Sequence, residues 1–412
     1  MKLKTIKQIK NLKNKRVLVR VDFNVPVKDG KVKEDARLLA SIPTIEYLLK
    51  KGAKVILVSH LGRPEGLDKK LSLKPVALRL GELMKKSVKL LKIERMDDYK
   101  NEVVGEIKKM KNGEIVMLEN IRFFPDEAEN ENNFGKTLAS IADIFVLDGF
   151  AVAHRDSGSV TGVAKHLPSY AGLLLEKEIV GLSRALVKPK KPFVLVLGGA
   201  KMETKIPVLK NLLPKVDYVL IGGGIFNTYL KAKGFKVGKS LVDSDYLKEV
   251  LKYCDKKKVI KPIDVIVGDE KGNKVKVISL SNGKGSLDSP STHYVRSGSL
   301  GMTDGQAIYD IGPATIRLYA QYIKKAQTLV WNGAMGYFEQ KPYDVGTLSI
   351  ARLVASRSKG KAFGIIGGGE TLQSMEKVKM TEFVDLVSTG GGAMLEFLGG
   401  KKLPGVKVVS GK

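Results

Sequence analysis

The sequence has a single cysteine and no long apolar run, and these absences exclude several classes of protein. Cys254 alone cannot form an intramolecular disulfide or a cysteine-based zinc cluster. No uninterrupted apolar stretch approaches the roughly 20 residues needed to cross a bilayer. The basic N-terminus is not followed by the apolar region of a signal peptide. We therefore expect a cytoplasmic protein with no membrane partner.

Acidic and aromatic residues are also scarce. The chain has 71 lysines and arginines against 43 aspartates and glutamates, a formal net charge of +28 at pH 7. Such an excess is typical of nucleic-acid binders. The lysines, however, are spread along the whole chain, aromatic residues make up only 7%, and no stacking motif or recognition helix stands out. We expect a solvated basic surface that steers small anions, with nucleic acid not the primary partner.

The length and hydrophobic patterning predict two domains of the α/β class. A chain of 412 residues exceeds one ordinary core. Strand patterns alternate with helical ones, and a long amphipathic stretch ends at the proline- and lysine-rich segment 188–192. The predicted strands are 16–23, 54–59, 115–118, 143–148, 193–197, 218–221, 263–267, 328–331, 362–366 and 384–387. This alternation predicts two doubly wound, Rossmann-like parallel-sheet lobes joined by a connecting helix and hinge.

Cationic residues follow the predicted strands of the N-terminal half. They accompany a few acidic and amide residues in the set Arg20, Asp22, Asn24, Arg37, His60, Arg63, Arg122, Asp148, His154 and Arg155. Each alone has an ordinary structural explanation, such as a capping residue, a core histidine or a surface ion pair. Ligands of parallel sheets, however, bind beyond the carboxyl ends of the strands. Together these residues predict several guanidinium groups around a ligand that carries phosphate and carboxylate groups.

Glycine runs occupy the corresponding positions in the C-terminal half. They lie at 198–199, 222–224, 367–369 and 390–392, each after a predicted strand. Glycine between a strand and a helix lets backbone N–H groups approach a phosphate at the positive helix end. Lys201 and Lys205 are one helical turn apart, so both can reach one phosphate chain. The C-terminal half is therefore predicted to hold a nucleotide.

The signatures of other nucleotide enzymes are missing. The nearest approach to a Walker A motif, KGFKVGKS at 233–240, has Lys233 where glycine is required, and we expect Lys239 in a solvated loop. No GxGxxG fingerprint follows the first strand, and HExxH, GxSxG and the protein-kinase HRD and DFG signatures are absent. A phosphotransferase with an anionic substrate in one lobe and a nucleotide in the other is the class that remains.

Taken in order, the motifs resemble those of the phosphoglycerate kinase family over nearly the full length of the chain. They are RVDFNVP (20–26), KEDAR (33–37), SHLGRP (59–64), SLKP (72–75), LENIRF (118–123), AHR (153–155), LLLEKE (173–178), LGGAK (197–201) with Lys205, IGGG (221–224), DIGP (310–313), WNGAMGYFE (331–339), IGGGET (366–371) and STGGGA (388–393). The polar segment 270–300 carries no such motif and is expected to be a surface excursion. The resemblance implies reversible transfer of the acyl phosphate of 1,3-bisphosphoglycerate to Mg-ADP, which gives 3-phosphoglycerate and ATP in glycolysis or gluconeogenesis.

The resemblance also implies roles for individual residues. The glycerate substrate would be bound by Asp22, Phe23, Asn24, Arg37, His60, Leu61, Gly62, Arg63, Arg122 and Arg155. The nucleotide would be held by Gly199, Ala200, Lys201, Lys205, Gly223, Asn332, Glu339, Gly367, Gly368, Gly369, Glu370 and Thr371. Glu339 would contact the ribose and Glu370 would sit at Mg²⁺. Arg37 and Lys205 would act on the moving phosphoryl group, because its transfer needs positioning and charge neutralisation.

Pattern and resemblance together divide the chain into four parts. They are an N-terminal phosphoglycerate-binding lobe (1–170), a connecting helix and hinge linker (171–192), a nucleotide-binding lobe (193–390) and a C-terminal segment that returns to the N-terminal lobe (391–412). We expect a monomer or homodimer whose lobes close about the hinge, because water would otherwise hydrolyse the acyl phosphate.

Three positions depart from the family pattern. Glu370 stands where aspartate is usual, Leu147 where asparagine is usual, and Ala334 where proline is usual. A carboxylate one methylene longer can still bind Mg²⁺ directly or through water. Two other functions stay open: an inactive relative that acts as a binding or scaffold protein, and the basic nucleic-acid binder. The intact arginine and lysine set favours the enzyme.

Overall fold

The computed structural model describes residues 2–93, 102–130, 132–280, 298–300, 302–303 and 305–411. Its contacts divide the chain into two compact units. The first unit is Met1–Val180 together with Lys402–Lys412, and the second is Gly181–Lys401. The four-part division predicted from the sequence describes functional segments and stays a prediction.

A six-stranded parallel sheet forms the centre of the first unit. The strands of this unit are β1 (Arg16–Arg20), β2 (Val27–Lys28), β3 (Lys31–Val32), β4 (Lys54–Val58), β5 (Val88–Leu91), β6 (Ile115–Leu118), β7 (Ile144–Leu147) and β8 (Ser169–Ala171). The sheet order is β5-β6-β4-β1-β7-β8, and β2 pairs with β3 in a small hairpin. Every residue of β6 and β7 is buried, as expected for parallel strands that are covered on both faces.

Helices alternate with these strands. They are α1 (Ala36–Lys50), α2 (Lys74–Met84), α3 (Val104–Lys109), α4 (Asp126–Glu129), α5 (Asn132–Ser140) and α6 (Leu173–Val187). In α1, Leu38, Ile45 and Leu48 share one face and are buried in the core with residues of β1 and β4. The long helix α6 ends at Val187, directly before the predicted break at 188–192.

The second unit has a second parallel sheet and two smaller sheets. Its strands are β9 (Phe193–Leu197), β10 (Tyr218–Ile221), β11 (Phe235–Lys236), β12 (Val259–Ile260), β13 (Asp264–Gly268), β14 (Lys276–Ser279), β15 (Gly298–Ser299), β16 (Ala307–Ile311), β17 (Thr328–Asn332), β18 (Phe363–Gly367) and β19 (Leu386–Ser388). Its helices are α7 (Met202–Leu212), α8 (Gly223–Ala232), α9 (Leu247–Cys254), α10 (Pro313–Ile323), α11 (Val345–Ser358), α12 (Gly369–Lys377) and α13 (Gly392–Leu398), and α14 (Pro404–Val408) belongs to the first unit.

The order of the second parallel sheet locates a binding crevice. The strands run β12-β10-β9-β17-β18-β19, with every pair parallel. Numbered along the chain, this order is 3-2-1-4-5-6, which is the order of doubly wound nucleotide-binding folds. The order reverses between β9 and β17, so connections leave their carboxyl ends in opposite directions and open a crevice there. The predicted fold class is confirmed in both units.

Several predicted elements differ from the structure in extent or place. The strand predicted at 16–23 ends at Arg20, because the chain turns so that the Asn24 N–H donates to Asp22 Oδ1 (3.2 Å). The strand predicted at 263–267 exists as β13, but it pairs antiparallel with β14 and β16 outside the parallel sheet. Part of the segment 270–300 forms the largely exposed strand β14, while 281–297 lies outside the described residues.

Asp148, at the end of β7, joins the first sheet to the start of α6. Its Oδ1 accepts the hydroxyl of Thr44 (2.7 Å) and the N–H of Leu174 (3.0 Å), and Thr44 Oγ1 accepts the N–H of Leu173 (2.9 Å). A Cβ at Gly172 would lie 2.0 Å from the same oxygen, so only glycine fits there. Burial raises the pKa of Asp148 to about 6.

This raised pKa makes the stability of the first unit depend on pH. The folded protein binds the Asp148 proton more tightly than the unfolded chain does. The stabilisation that follows from this difference is present at low pH and is lost as pH rises through about 6. Relative to Asp148→Asn, which cannot ionise, we expect the wild type to lose up to about 3 kcal/mol of unfolding free energy between pH 4 and pH 7. Urea unfolding of both proteins across this range measures the difference, and a pH-independent difference would contradict it.

Candidate active site

The loops that follow β1 and β4 are joined by side-chain hydrogen bonds at the carboxyl edge of the first sheet. Ser59 Oγ accepts the backbone N–H of Phe23 (2.8 Å), and Asn24 Oδ1 accepts that of Gly62 (2.9 Å). The carboxyl ends of neighbouring parallel strands meet at this edge, where ligands of such sheets bind. The predicted residues of these two loops therefore lie side by side.

Asn120 ties a third loop, after β6, to the loop after β4. Its Oδ1 accepts the N–H groups of Leu61 and Arg122 (both 3.1 Å), and its Nδ2 donates to the Leu61 carbonyl (2.7 Å). The Arg122 guanidinium in turn donates to the Gly62 carbonyl. Asn120 is fully buried, so its amide needs these partners. The motif LENIRF contains this asparagine, but its role in fixing the position of Arg122 was not predicted from the sequence.

Asp22 is the acidic centre of the predicted arginine set. Arg37 Nη1 lies 2.5 Å from Asp22 Oδ2 in an ion pair. His60 Nδ1 lies 3.7 Å from Asp22 Oδ1, and Arg20 Nη2 lies 3.3 Å from the same His60 nitrogen. Asp22 and His60 are buried, whereas 34% of the Arg37 side chain is exposed. The Asp22 carboxylate thus has two neighbours, the buried His60 and the partly exposed Arg37.

The charges of four arginines act on His60. Burial lowers the pKa of His60 well below its usual value, and the charges of Arg20, Arg122, Arg155 and Arg37 lower it further. An imidazolium would be repelled by all four guanidinium groups, so the neutral ring is favoured. The convergence of cations that the strand-end pattern predicted is therefore present in the first unit.

The pKa of Arg122 reports the same excess of positive charge. Burial and the charges of Arg155, Arg20 and Arg63 together lower this pKa to about 10, with Asp22 acting in the opposite direction. Arginine side chains ordinarily titrate above pH 12. Arg63 and Arg155 are exposed, so they stand at the solvent edge of the cluster. A bound anion would relieve the repulsion among these groups.

A buried network that the sequence analysis missed anchors Arg20. Its Nε donates to Ser159 Oγ (2.8 Å), and that hydroxyl donates to Glu127 Oε1 (2.6 Å). Burial lowers the pKa of Arg20, while the charges of Glu127 and Asp22 oppose this effect. Glu127 also accepts the Ser157 hydroxyl (2.8 Å). Glu127 therefore compensates a fully buried guanidinium, a role that depends on a tertiary contact and leaves no local sequence signal.

Phe23 and Leu61 differ from the charged residues of the cluster in where their side chains lie. Both side chains are buried in the hydrophobic core of the first unit. Their backbone groups are bonded to Ser59 and Asn120. These two residues therefore hold the loops in place, and their contact with a substrate stays a prediction.

We expect His60 to stay neutral at pH 6 in the ligand-free protein, where an unperturbed histidine is largely charged. Burial and the surrounding arginine charges both favour the neutral ring. Nitrogen chemical shifts of the imidazole measure its protonation. Arg155→Ala should raise the pKa of His60 by removing one positive charge, whereas Arg184→Ala in the second unit should not change it. A protonated His60 at pH 6 in the wild type would contradict the effect that we expect burial and the arginine charges to have on its pKa.

In the second unit, backbone hydrogen bonds join the glycine turns that follow β9 and β17. The N–H of Gly198 donates to the Asn332 carbonyl (3.0 Å), and that of Gly199 donates to the Ala334 carbonyl (2.8 Å). A Cβ at Gly198 would lie 2.0 Å from the Ala334 oxygen. Gly199 has φ +80°, which strains residues with a side chain. Glycine is required at both positions because the turns approach each other closely at the crevice.

Lys205, on α7, is buried under the same turns. Its Nζ hydrogen-bonds Asn332 Oδ1, and Asn332 Nδ2 donates to the Gly367 carbonyl (2.6 Å). Burial lowers the pKa of Lys205 to about 8, while the charge of Glu370 acts in the opposite direction. The ammonium is therefore still mostly charged at neutral pH. These hydrogen bonds connect α7, β17 and β18 around the Lys205 ammonium.

The start of α12 closes the other side of this crevice. Thr371 Oγ1 accepts the N–H of Gly333 (2.7 Å), and Glu370 Oε2 accepts the N–H of Ala334 (3.2 Å). The same Glu370 oxygen lies 3.2 Å from the point where a Cβ on Gly199 would stand. Predicted residues from three separate glycine-containing motifs thus meet at the carboxyl ends of β9, β17 and β18.

A cavity of about 430 Å³ opens beside these turns. Its lining is Gly199, Ala200, Gly223, Gly224, Asn227, Lys239, Leu241, Glu270, Ala307, Ile308, Tyr309, Ala334, Gly336, Tyr337, Glu339 and Glu370. Five predicted nucleotide residues are in this lining: Gly199, Ala200, Gly223, Glu339 and Glu370. The other predicted residues stand next to it or at the surface, and they are Lys201, Lys205, Asn332, Gly367, Gly368, Gly369 and Thr371.

The sequence analysis missed the apolar end of the cavity. Leu241, Ile308 and Tyr309 form this end, and β16, which carries the last two, was not predicted as a strand. Lys239 was expected in a solvated loop. It is exposed, but it also lines the cavity, because its N–H donates to the Gln306 carbonyl (2.9 Å) and fixes the loop beside β16.

Glu370 is the carboxylate at the glycine end of the cavity. Within the described ranges, no group of three or more histidine, cysteine, aspartate or glutamate side chains could hold a metal ion. A single carboxylate fits Mg²⁺, which is commonly bound by one or two carboxylates, water and substrate phosphates. No described helix is long and apolar enough to cross a membrane.

Comparison with known proteins gives one consistent match. The model of the family described as phosphoglycerate kinase matches residues 6–401. The chain is 42% identical to the phosphoglycerate kinase of Borreliella afzelii over 416 residues, which cover 99% of this chain and all of that protein. It is 44% identical to the phosphoglycerate kinase of Dictyoglomus turgidum, with 99% of each chain covered.

Solved structures match over the same extent. The phosphoglycerate kinase of Coxiella burnetii superposes with a TM-score of 0.81 at 39% identity, covering 99% of this chain and 98% of that one. The phosphoglycerate kinase of Pyrococcus horikoshii superposes with a TM-score of 0.83 at 34% identity and the same coverage.

Proposed function

The chain belongs to the phosphoglycerate kinase family, and from this premise we propose which of its residues carry out the reaction. The family prediction made from the motifs is confirmed. The protein is a transferase of glycolysis with phosphoglycerate kinase activity, the reversible transfer of a phosphoryl group between 1,3-bisphosphoglycerate and ADP. Its substrates are accordingly 3-phosphoglycerate or 1,3-bisphosphoglycerate and ADP or ATP.

We propose that the cation cluster of the first unit binds the glycerate substrate. The observation that carries this proposal is the convergence of Arg20, Arg37, Arg122 and Arg155 on the buried His60. 3-Phosphoglycerate carries a phosphate and a carboxylate, both of which guanidinium groups bind bidentately. The exposed residues Arg63 and Arg155 would meet the ligand from the solvent side. The neutral His60 would donate or accept one hydrogen bond rather than contribute charge.

The cavity of the second unit would hold the nucleotide. Its apolar end, formed by Leu241, Ile308 and Tyr309, suits a base, and its glycine end offers the close backbone approach that phosphates require. Glu339 lines the same cavity and would accept hydrogen bonds from the ribose hydroxyls. Lys205, buried beside the turns, would neutralise phosphate charge from the protein side. The exposed Lys201 would reach the phosphates from solvent.

Mg²⁺ is the cofactor that this arrangement supports. Glu370 would bind the ion directly or through water, and the nucleotide phosphates would supply further oxygens. The ion would neutralise phosphate charge during transfer. Glu370 also faces Lys205, and its negative charge favours the protonated form of that lysine. The ammonium would contact the phosphate chain directly, and the carboxylate would act on it through the ion.

The transfer itself needs positioning and charge neutralisation. The acceptor oxygen is ionised in either direction, so no general base is required. Arg37 and Lys205 would stabilise the equatorial oxygens of the moving phosphoryl group. Because substrate and nucleotide would be held by different units, we propose that a hinge-bending motion brings them together and excludes water. We further propose a cytoplasmic monomer or homodimer without a nucleic-acid or membrane partner.

A coupled assay of 3-phosphoglycerate-dependent ATP consumption with Mg²⁺ tests the function. We expect turnover that requires all three components. A folded protein without turnover would indicate an inactive relative that acts as a binding or scaffold protein. The observations against that alternative are the complete cation cluster and the buried Lys205 next to Glu370.

Arg37→Ala should lower kcat at least about 10³-fold, the low end for removing an arginine that stabilises a transferring phosphoryl group. The fold should be retained, because Arg37 is partly exposed and pairs only through its tip with Asp22. Steady-state kinetics measure the effect.

Arg79→Ala is the matched control for this variant. Arg79 lies on α2 in the same unit and forms a comparable ion pair with Asp35 (2.6 Å), but it is outside the cation cluster. We expect its kcat to stay within about twofold of the wild type. Near wild-type kcat in Arg37→Ala would sink the role that we propose for Arg37.

A further inference from the structure

Three hydrogen bonds run from the end of β17 and the turn after it to the end of β18 and the start of α12. The Asn332 amide donates to the Gly367 carbonyl at the end of β18 (2.6 Å), and the Gly333 N–H donates to Thr371 Oγ1 on α12 (2.7 Å). The third runs from the backbone N–H of Ala334 to Glu370 Oε2 at 3.2 Å. Among these three bonds, only the third reaches a charged side chain, and this side chain is the carboxylate proposed for Mg²⁺.

The hydrogen bond from Ala334 restrains an exposed carboxylate. Glu370 is exposed, and a glutamate on a helix surface samples many rotamers in solution. The bond holds Oε2 above the glycine turn, 3.2 Å from the point where a Cβ on Gly199 would stand. Ala334 and Glu370 both line the nucleotide cavity. The carboxylate is therefore held at the glycine end, where the phosphates and the metal would lie.

The hydrogen bond depends on the identity of both residues. A proline at position 334 would have no N–H to donate. An aspartate at position 370 would be one methylene shorter and would not reach the donor.

We propose that Ala334 is a positioning residue for Glu370. The Ala334 N–H holds one carboxylate oxygen in place, so that the other oxygen is presented to the Mg²⁺ of the bound nucleotide. The N–H of residue 334 and the length of the glutamate side chain are both needed for this anchor. This inference rests on the proposed role of Glu370 at Mg²⁺.

A double-mutant cycle tests the pair. The proteins are the wild type, Ala334→Pro, Glu370→Asp and the double variant, with Ala334→Gly as a control that keeps the N–H and lacks the proline ring. Calorimetric titration gives the dissociation constants of Mg-ADP and of ADP in excess EDTA for each protein. The metal-free titration and thermal unfolding report whether the cavity is intact.

We expect Ala334→Pro to weaken Mg-ADP binding about five- to tenfold, the size of one hydrogen bond to a charged group at a solvent-accessible site. Metal-free ADP should change less than about twofold, because the lost contact acts only through the metal. In the Glu370→Asp background, the same proline should change Mg-ADP binding less than about twofold, since aspartate is too short to use the N–H. Ala334→Gly should retain most of the metal-dependent affinity.

Two results would overturn the inference while leaving the proposed function in place. One is an additive cycle, in which Ala334→Pro weakens Mg-ADP binding equally in both backgrounds. The other is an Ala334→Gly variant as weak as Ala334→Pro, which would assign the effect to the backbone rather than to the N–H. A wild-type protein whose ADP affinity is not raised by Mg²⁺ would instead remove the metal role of Glu370 and the inference with it.

Discussion

The ion pair between Asp22 and Arg37, with His60 beside it, is the interaction around which the cation cluster of the first unit is arranged. Arg20, Arg122 and Arg155 add positive charge near the same histidine, and Glu127 balances only the buried Arg20. Like charges held at fixed positions raise the free energy of the ligand-free protein, and a polyanionic ligand lowers it. The folded sheet thus holds together a cluster of positive charge, which we propose as the binding site of a small phosphorylated acid.

The second unit has the same kind of sheet, but its strand ends form a cavity beside glycine turns instead of a cation cluster. Its strand order reverses between β9 and β17, and the turns there approach so closely that a Cβ at Gly198 would lie 2.0 Å from a carbonyl oxygen. The same close packing buries Lys205 against Asn332. A nucleotide needs one cation, one carboxylate for its metal and an apolar surface for its base. We propose that Glu370 and the apolar side chains of the cavity, with Lys205 buried next to it, meet these needs.

The sequence predicted the parts of this arrangement that depend on local pattern. The buried strands 115–118, 193–197 and 218–221 were predicted to the residue, because continuous apolar runs mark them. The short or partly exposed strands β5 and β8 carry no such run and were missed. Among the site residues, strand-end position identified the arginines and glycines.

The remaining site residues could not be found in the same way. Glu127 acts through a hydroxyl on a distant segment, Asn120 through two loops, and Tyr309 lies on a strand of a separate antiparallel sheet. Each role exists only after the chain has folded.

The central claim is that two different sites in one chain hold the two substrates, and amide NMR titrations test it most directly. 3-Phosphoglycerate alone should shift the amides of Asn24, Gly62 and Arg122 and leave those of Gly199 and Ala334 unchanged. Mg-ADP alone should produce the opposite pattern. A glycerate ligand that perturbs the glycine turns, or neither set, would contradict the account.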